Sequence, residues 1–298
     1  MDIGILVLGY RRAESFKEAV TSISSIMGHE NFPIYAVIDG PKASDHELKN
    51  DNLAVIQTAQ RLFDEGKLHS VLVRGENFGT KRNVFESVTM VLASHEYVFV
   101  VEDDLVVRST GPAPLQEWFS QLGGEISAFS LYANAVSCGA PFLSRRFSSQ
   151  AWGTSRYYWN DFRPDALKTI KLSWGMSIGL LRHVGGDMPQ AFFNYRRNKV
   201  DSWAIPWNVH NFLANRKMLY PPVSLVLSNS HLPGAERTEG IIFDSVVSSE
   251  PFNLAGAGYR INRAYLGHYT LMARLRRRMR MWYRKYCGRS NNPSFKGH

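Results

Sequence analysis

Up to about residue 105 the chain alternates short, continuously apolar runs with amphipathic stretches, and nothing else in it restricts the fold so strongly. "IGILVLGY" (Ile3–Tyr10), "FPIYAVIDG" (Phe32–Gly40), "HSVLVRG" and "YVFVVEDDLVV" each end in polar residues after an unbroken apolar segment, which marks strands buried on both faces. Between them, Phe16, Val20, Ile23 and Met27 recur at helical spacing, with Ser15 as a cap. Glu47–Gly66 reads as a helix stopped by its glycine, and Thr80–His95 as another. Strand–helix alternation with two-sided strands implies an α/β fold: a mainly parallel sheet with helices on both faces. Such sheets bind ligands beyond the carboxyl ends of their strands. The polar residues expected there are Tyr10–Arg12, Asp39–Gly40, Gly75–Asn83 and Glu102–Asp104.

The last of these is the most demanding. Glu102, Asp103 and Asp104 stand between "YVFVV" and "LVV", and burying adjacent ionised carboxylates is costly unless their charge is met. An acidic triplet in a solvated turn needs no partner, but apolar flanks on both sides argue for the end of a buried strand or a kink within it. A divalent cation would offset the charge, and hard oxygen ligands suit Mg2+ or Mn2+. A metal with few protein ligands completes its shell with substrate phosphates, which points to stabilisation of a phosphate-bearing leaving group.

Taken in order, Asp-Gly after the second strand, "ENFGTKRN" after the third and "EDD" after the fourth resemble a glycosyltransferase of the A fold. The likeness is to bacterial family 2-like sugar transferases, with a fainter similarity to the N-acetylglucosaminyltransferase I type, and covers roughly residues 2 to 240. It implies a nucleotide-sugar donor, a glycan or lipid-linked acceptor, a Mn2+ or Mg2+ cofactor and an inverting transfer in surface polysaccharide assembly. Residue by residue, it implies that Tyr10 stacks on the base and that Arg11 or Arg12 meets phosphate. Asp39 contacts uracil or ribose, although a strand-terminal Asp-Gly is also an ordinary turn. Asn77, Lys81 and Asn83 line the donor loop, Lys81 in contact with a phosphate, with the following helix N-terminus favouring anionic groups. Glu102 and Asp103 meet sugar or ribose, and Asp104 the metal. Trp152 and Gly153, in "AWGTSRYYW", wall a sugar or belong to the core. His231 is a further metal ligand or phosphate contact, and residues 234–240 form a lid. The base that deprotonates the acceptor hydroxyl is Asp201, in "DSWAIPWNVHNFL", unless that residue is a helix cap; Asp161 and Asp187 are the alternatives.

The 298 residues divide as 1–254, a catalytic domain with a nucleotide-sugar half (1–110) and an acceptor half (111–254), and 255–298, a basic tail. The net charge of +9 resides in that tail: it carries +11, and the remainder −2. In "YLGHYTLMARLRRRMRMWYRKY" an apolar stripe faces arginines, so the tail reads as an amphipathic helix for an anionic membrane surface, with Arg274, Arg276, Arg277, Arg278, Arg280 and Trp282 in contact. Packing on the body or oligomerisation would use the same stripe. Nucleic acid is not expected as a partner. The short N-terminal apolar run and two distant cysteines, Cys138 and Cys287, lead to the expectation of a cytoplasmic protein, peripheral on the inner membrane face. Two rivals stand beside sugar transfer. A sugar-phosphate nucleotidyltransferase would want a Gly-rich basic loop after the first strand, which "GYRRAES" is not. A non-catalytic glycan-binding or scaffold protein would keep the fold without the chemistry.

Overall fold

The computed structural model describes residues 1–26, 32–42, 46–108, 114–133, 140–228, 254 and 260–261. The predicted alternation is present. Strand β1 (Ile3–Gly9), helix α1 (Ala13–Ile26), β2 (Ile34–Ile38), α2 (His46–Asp64), β3 (Ser70–Val73), α3 (Gly79–Ser94) and β4 (Tyr97–Glu102) follow one another. The triplet then breaks the fourth strand. Asp103 and Asp104 form a turn, and β5 (Leu105–Val107) leaves the main sheet. The expected single strand through "YVFVVEDDLVV" is therefore two, with the acids at the corner between them.

The remainder comprises α4 (Leu115–Ser120), β6 (Ile126–Ser130), β7 (Phe142–Ser144), β8 (Trp152–Ser155), α5 (Arg156–Asn160), α6 (Pro164–Leu167), α7 (Trp174–His183), α8 (Met188–Arg196), α9 (Ala204–Leu213), β9 (Lys217–Tyr220), β10 (Val226–Ser228) and β11 (Arg260–Ile261). Among the described residues nine strands form one sheet in the order β11-β7-β9-β6-β8-β4-β1-β2-β3, while β5 pairs with β10 in a small antiparallel ribbon. Strands β4, β1, β2 and β3 run parallel, so their carboxyl ends share one edge. Strand β8 joins antiparallel to β4 and makes the sheet mixed.

Alternate strand residues feed two cores. Ile3, Ile5, Val7, Phe99 and Val101 pack with Phe16, Val20 and Ile23 of α1 and with α2. Leu6, Leu8, Val98 and Val100 pack on the other face with α3, α8 and α9. That two-faced burial is why the strand sequences lack alternation. Ser15 is not the cap of α1: it sits inside the helix, buried.

Trp152 and Gly153 prove to be core, not sugar-facing. Trp152 is wholly buried, stacked on Trp203 with centroids 4.7 Å apart, and its indole N–H has no partner among the described residues. Gly153 lies opposite Phe99 on one side and Phe129 on the other, and a Cβ there would stand 2.5 Å from the Phe129 ring. Both are held in the sheet interior because β8 is a central strand. Gly153→Val is accordingly expected to destabilise by about 1–3 kcal/mol through overpacking, read as a lower denaturation midpoint at unchanged m-value.

Candidate active-site crevice

The carboxyl edge of the parallel strands is tied together by one continuous series of contacts. Arg12, in the turn after β1, reaches the corner after β4. Its Nη2 donates to Asp103 Oδ1 and its Nη1 donates to Asp104 Oδ2 at 3.3 Å. The Tyr10 amide donates to Asp103 Oδ2 at 3.2 Å. The charge that the sequence leaves uncompensated is therefore met in part by a guanidinium from the neighbouring strand. Burial pushes Asp103 up to about 6, Arg12 opposes the rise and Asp104 adds to it, so the group is still ionised at neutral pH. Arg12 is itself held above its ordinary value by the two carboxylates, which outweigh its own desolvation.

Asn52 continues the series. Its Nδ2 donates to the Tyr10 carbonyl at 2.6 Å and to the Asp39 carbonyl at 2.8 Å, pinning the ends of β1 and β2 together. The sequence carries a signal for it. Asn52 shares the buried stripe of α2 with Val55, Ala59 and Leu62, where an amide has no place unless it is bonded.

Asp39 is occupied by the loop after β3. Oδ1 accepts from the amides of Gly40 (2.9 Å) and Phe78 (2.8 Å), and Oδ2 from the Gly79 amide (3.1 Å) and Asn77 Nδ2 (3.3 Å). Burial raises its pKa, and these amides and Arg74 oppose the rise. The carboxylate thus caps α3, and the residue expected to touch the base or ribose is also what shapes the loop. Asn77 additionally donates to the Gly40 carbonyl at 2.7 Å.

Asp201 arrives at the same helix end from the acceptor half. Its Oδ2 accepts from the Lys81 amide at 3.4 Å, and a Cβ on Gly79 would lie 2.8 Å from that oxygen. Gly79 has φ +71°, so its left-handed conformation and the nearness of Asp201 both call for glycine. The carboxylate caps α3, not the helix that follows it in sequence, and it is exposed to solvent. One expectation changes as a result. With the amides of Phe78, Gly79 and Lys81 turned to Asp39 and Asp201, this helix start is filled by the protein's own carboxylates and does not present those amides to a phosphate. Lys81 Nζ, expected near phosphate, lies 6.0 Å from the Tyr195 ring and 4.0 Å from Asp165.

Other expected residues separate from the crevice. Asn83 is buried with its Oδ1 accepting from Arg74 Nε (3.3 Å) and Ser87 Oγ (3.4 Å), so its amide oxygen is taken up by the loop after β3 and by α3 itself. Tyr10 keeps its hydroxyl buried, without a partner among the described residues. Arg11 is half-buried beside it, and Glu102 ends β4 half-buried, with an interaction of its own. His231, the 234–240 segment and the arginines and Trp282 of the tail lie outside the described residues.

The two alternative bases are engaged in ion pairs. Asp187 forms a two-point pair with Arg146 at 2.9 and 3.1 Å. Asp161 accepts from Arg216 Nη2 at 2.8 Å. Its 3.7 Å approach to His210 Nε2 is not a salt bridge: Arg216 Nη1 stands 3.1 Å from the same nitrogen, and since arginine only donates, that nitrogen is the unprotonated acceptor. Burial, reinforced by Arg216, depresses His210 to about 4. The folded state therefore refuses a proton that the unfolded chain accepts below about 6.5. Stability is expected to fall as the pH drops from about 6.5 to about 4, by at most ~3 kcal/mol. His210→Gln should flatten that part of a stability–pH curve.

The metal expectation meets a suitable donor set. Asp104 is the more exposed of the paired acids and supplies hard oxygens, although no group of three His, Cys, Asp or Glu able to hold an ion occurs among the described residues.

No protein-family model matches the chain, and no curated protein does. Solved structures do superpose on it. TarS from S. aureus shares 11% identity at TM-score 0.42, covering 78% of this chain and 61% of that one. The galactosyltransferase LgtC with donor and acceptor sugar analogues shares 10% at TM-score 0.41, covering 73% and 72%. The mannosyltransferase PcManGT from Pyrobaculum calidifontis, in complex with GDP-Man and Mn2+, shares 16% at TM-score 0.34, covering 52% and 45%. This chain thus spans less than two thirds of the length of TarS and PcManGT. Each TM-score lies below 0.5, so the functional reading rests on the geometry of the crevice.

Proposed function

We propose that the chain transfers a sugar from a nucleotide-sugar donor to a glycan or lipid-linked acceptor, with inversion and with Mn2+ or Mg2+ as cofactor, in surface polysaccharide assembly. The observation that supports this most is the joining, at one sheet edge, of the Arg12–Asp103–Asp104 cluster to Asp39 and, through the start of α3, to Asp201. A charge-bearing corner for a diphosphate and an exposed carboxylate from the opposite half are the two requirements of such a transfer.

In this reading Asp104 would hold the metal, which when bound would supply charge neutralisation for a departing nucleoside diphosphate. Arg12, fixed by both carboxylates, keeps the β4 corner in place, and Arg11 lends positive charge to the same turn. Asp39 holds the loop after β3 and the α3 start, and thereby the wall of the donor site. Asp201 accepts the proton of the acceptor hydroxyl as that oxygen attacks the anomeric carbon opposite the leaving group. Its contact with the Lys81 amide keeps the carboxylate on the crevice side. The basic tail places the enzyme on an anionic membrane, where a lipid-linked acceptor resides.

The test is a panel of nucleotide-sugars, followed by release of nucleoside diphosphate on adding glycan or lipid acceptors. Pyrophosphate release from nucleoside triphosphate and sugar phosphate would instead establish the nucleotidyltransferase reading. Asp104→Asn is expected to lower transfer by ~100- to 1,000-fold, the scale of losing one charge-stabilising group. Transfer at the wild-type rate in that variant would remove the corner from the mechanism.

A further inference from the structure

Helix α7 carries its apolar stripe on the wrong side for a helix surrounded by water. Gly179 and Leu180 turn inward: Leu180 is fully buried, and a Cβ on Gly179 would meet the Phe212 ring at 2.7 Å. Trp174, Ile178 and Leu181, spaced i, i+4, i+7, form the opposite stripe. Trp174 is 81% exposed and Leu181 51%. Phe193, on the adjacent α8, is a further exposed aromatic, with the Arg197 guanidinium 4.2 Å above its ring. Beside the stripe a cavity of about 200 Å3 opens between the two helices, with Ser177, Pro189 and Phe193 in its wall and Lys171 and Arg196 among its lining residues.

Charge says what such a surface suits. From residue 165 to 201, six Lys and Arg stand against three acids, Asp165, Asp187 and Asp201, of which Asp187 is paired with Arg146 and Asp165 with Lys168. Apolar side chains standing out from a short helix, with Lys171 and Arg196 at the adjoining cavity, Arg182 on the helix itself and Arg197 over Phe193, match the headgroup layer of an anionic bilayer: Trp, Ile and Leu enter the acyl boundary while Lys and Arg meet lipid phosphate. No described helix is long and apolar enough to cross a membrane, so α7 would lie in the plane of the surface.

We propose that the α7–α8 face is a membrane-docking surface for anionic lipid, separate from the basic tail. It leads by the segment after α8 to Asp201, which sets the membrane contact on the acceptor half. The inference does not depend on sugar transfer, since vesicle binding is measured without donor.

The full chain is co-sedimented with phosphatidylglycerol vesicles and with phosphatidylcholine vesicles. Wild type is expected to bind only the former. The Trp174→Ser/Leu181→Ser variant, altered only at exposed positions, is expected to bind at least tenfold more weakly with its thermal melt unchanged. A tail variant, Arg276→Ser/Arg277→Ser/Arg278→Ser, is expected to keep measurable binding through α7. Hydrogen exchange of the wild type with and without vesicles gives a measure free of substitutions, and should show slowed exchange in 174–183. Equal binding of the double variant and wild type, or unchanged exchange in α7, would overturn the proposal. So would a wild-type dimer that the double variant converts to monomer without altered vesicle binding, because the stripe would then be covered by a second copy.

Discussion

Arg12→Ala is expected to lower unfolding free energy by about 3–5 kcal/mol, the scale for removing one partner of a buried ion pair. The reason is what remains. The Asp103 side chain is 6% exposed, and Arg12 is the largest influence opposing the desolvation of its charge. Without the guanidinium, Asp103 retains the Tyr10 amide at 3.2 Å but faces the repulsion of Asp104 without the cation that opposed it. The companion variant decides between charge and packing. Arg12→Ala/Asp103→Asn deletes the buried charge along with its partner, and should recover most of the loss, because the Asn carbonyl still accepts from Tyr10. Guanidinium unfolding of the two variants measures this directly. A loss under 1 kcal/mol in Arg12→Ala would show that something other than Arg12 offsets the corner's charge.

Asp201→Asn is expected to reduce transfer by ~100- to 10,000-fold, the usual reach of a general base, with donor affinity within about twofold of wild type. Asparagine keeps an oxygen to accept from the Lys81 amide and fits against Gly79, so the α3 start should hold while the proton acceptor is lost. Gly79→Ala provides the contrast. Its Cβ would lie 2.8 Å from the carboxylate oxygen and φ is +71°, so the substitution displaces Asp201 and strains the loop together. It should weaken donor binding as well as turnover. If Asp201→Asn turns over within tenfold of wild type, the carboxylate is a helix cap and the base lies elsewhere. Calorimetric donor binding beside initial rates separates the outcomes.

The parallel half was legible in advance because local pattern and tertiary role agree there. Strands buried on both faces must be apolar throughout, and helices on a sheet must carry one apolar stripe, so Ile3–Gly9, Ile34–Ile38 and α1 to α3 declare themselves. The clustering of strand-end residues followed from the same logic. Trp152 and Gly153 were ambiguous for the opposite reason. An aromatic–glycine pair suits a sugar wall and a sheet interior equally, and only the antiparallel insertion of β8 between β4 and β6 puts them inside.

What the sequence determined by itself was the sheet, the edge where its parallel strands end and the presence there of more carboxylate than an apolar strand can carry unaided. Periodicity and charge are local quantities and can be read residue by residue. Which group answers which charge was decided only by the tertiary structure. Arg12 meets Asp103 and Asp104 across some ninety residues, and Asp201 reaches the Lys81 amide across 120. Such pairings depend on how strands are ordered and where their ends fall, and no spacing along the chain encodes them. The same holds for α7, whose apolar stripe is ordinary in sequence and becomes a surface only because Leu180 and Gly179, on its other side, are the residues turned inward.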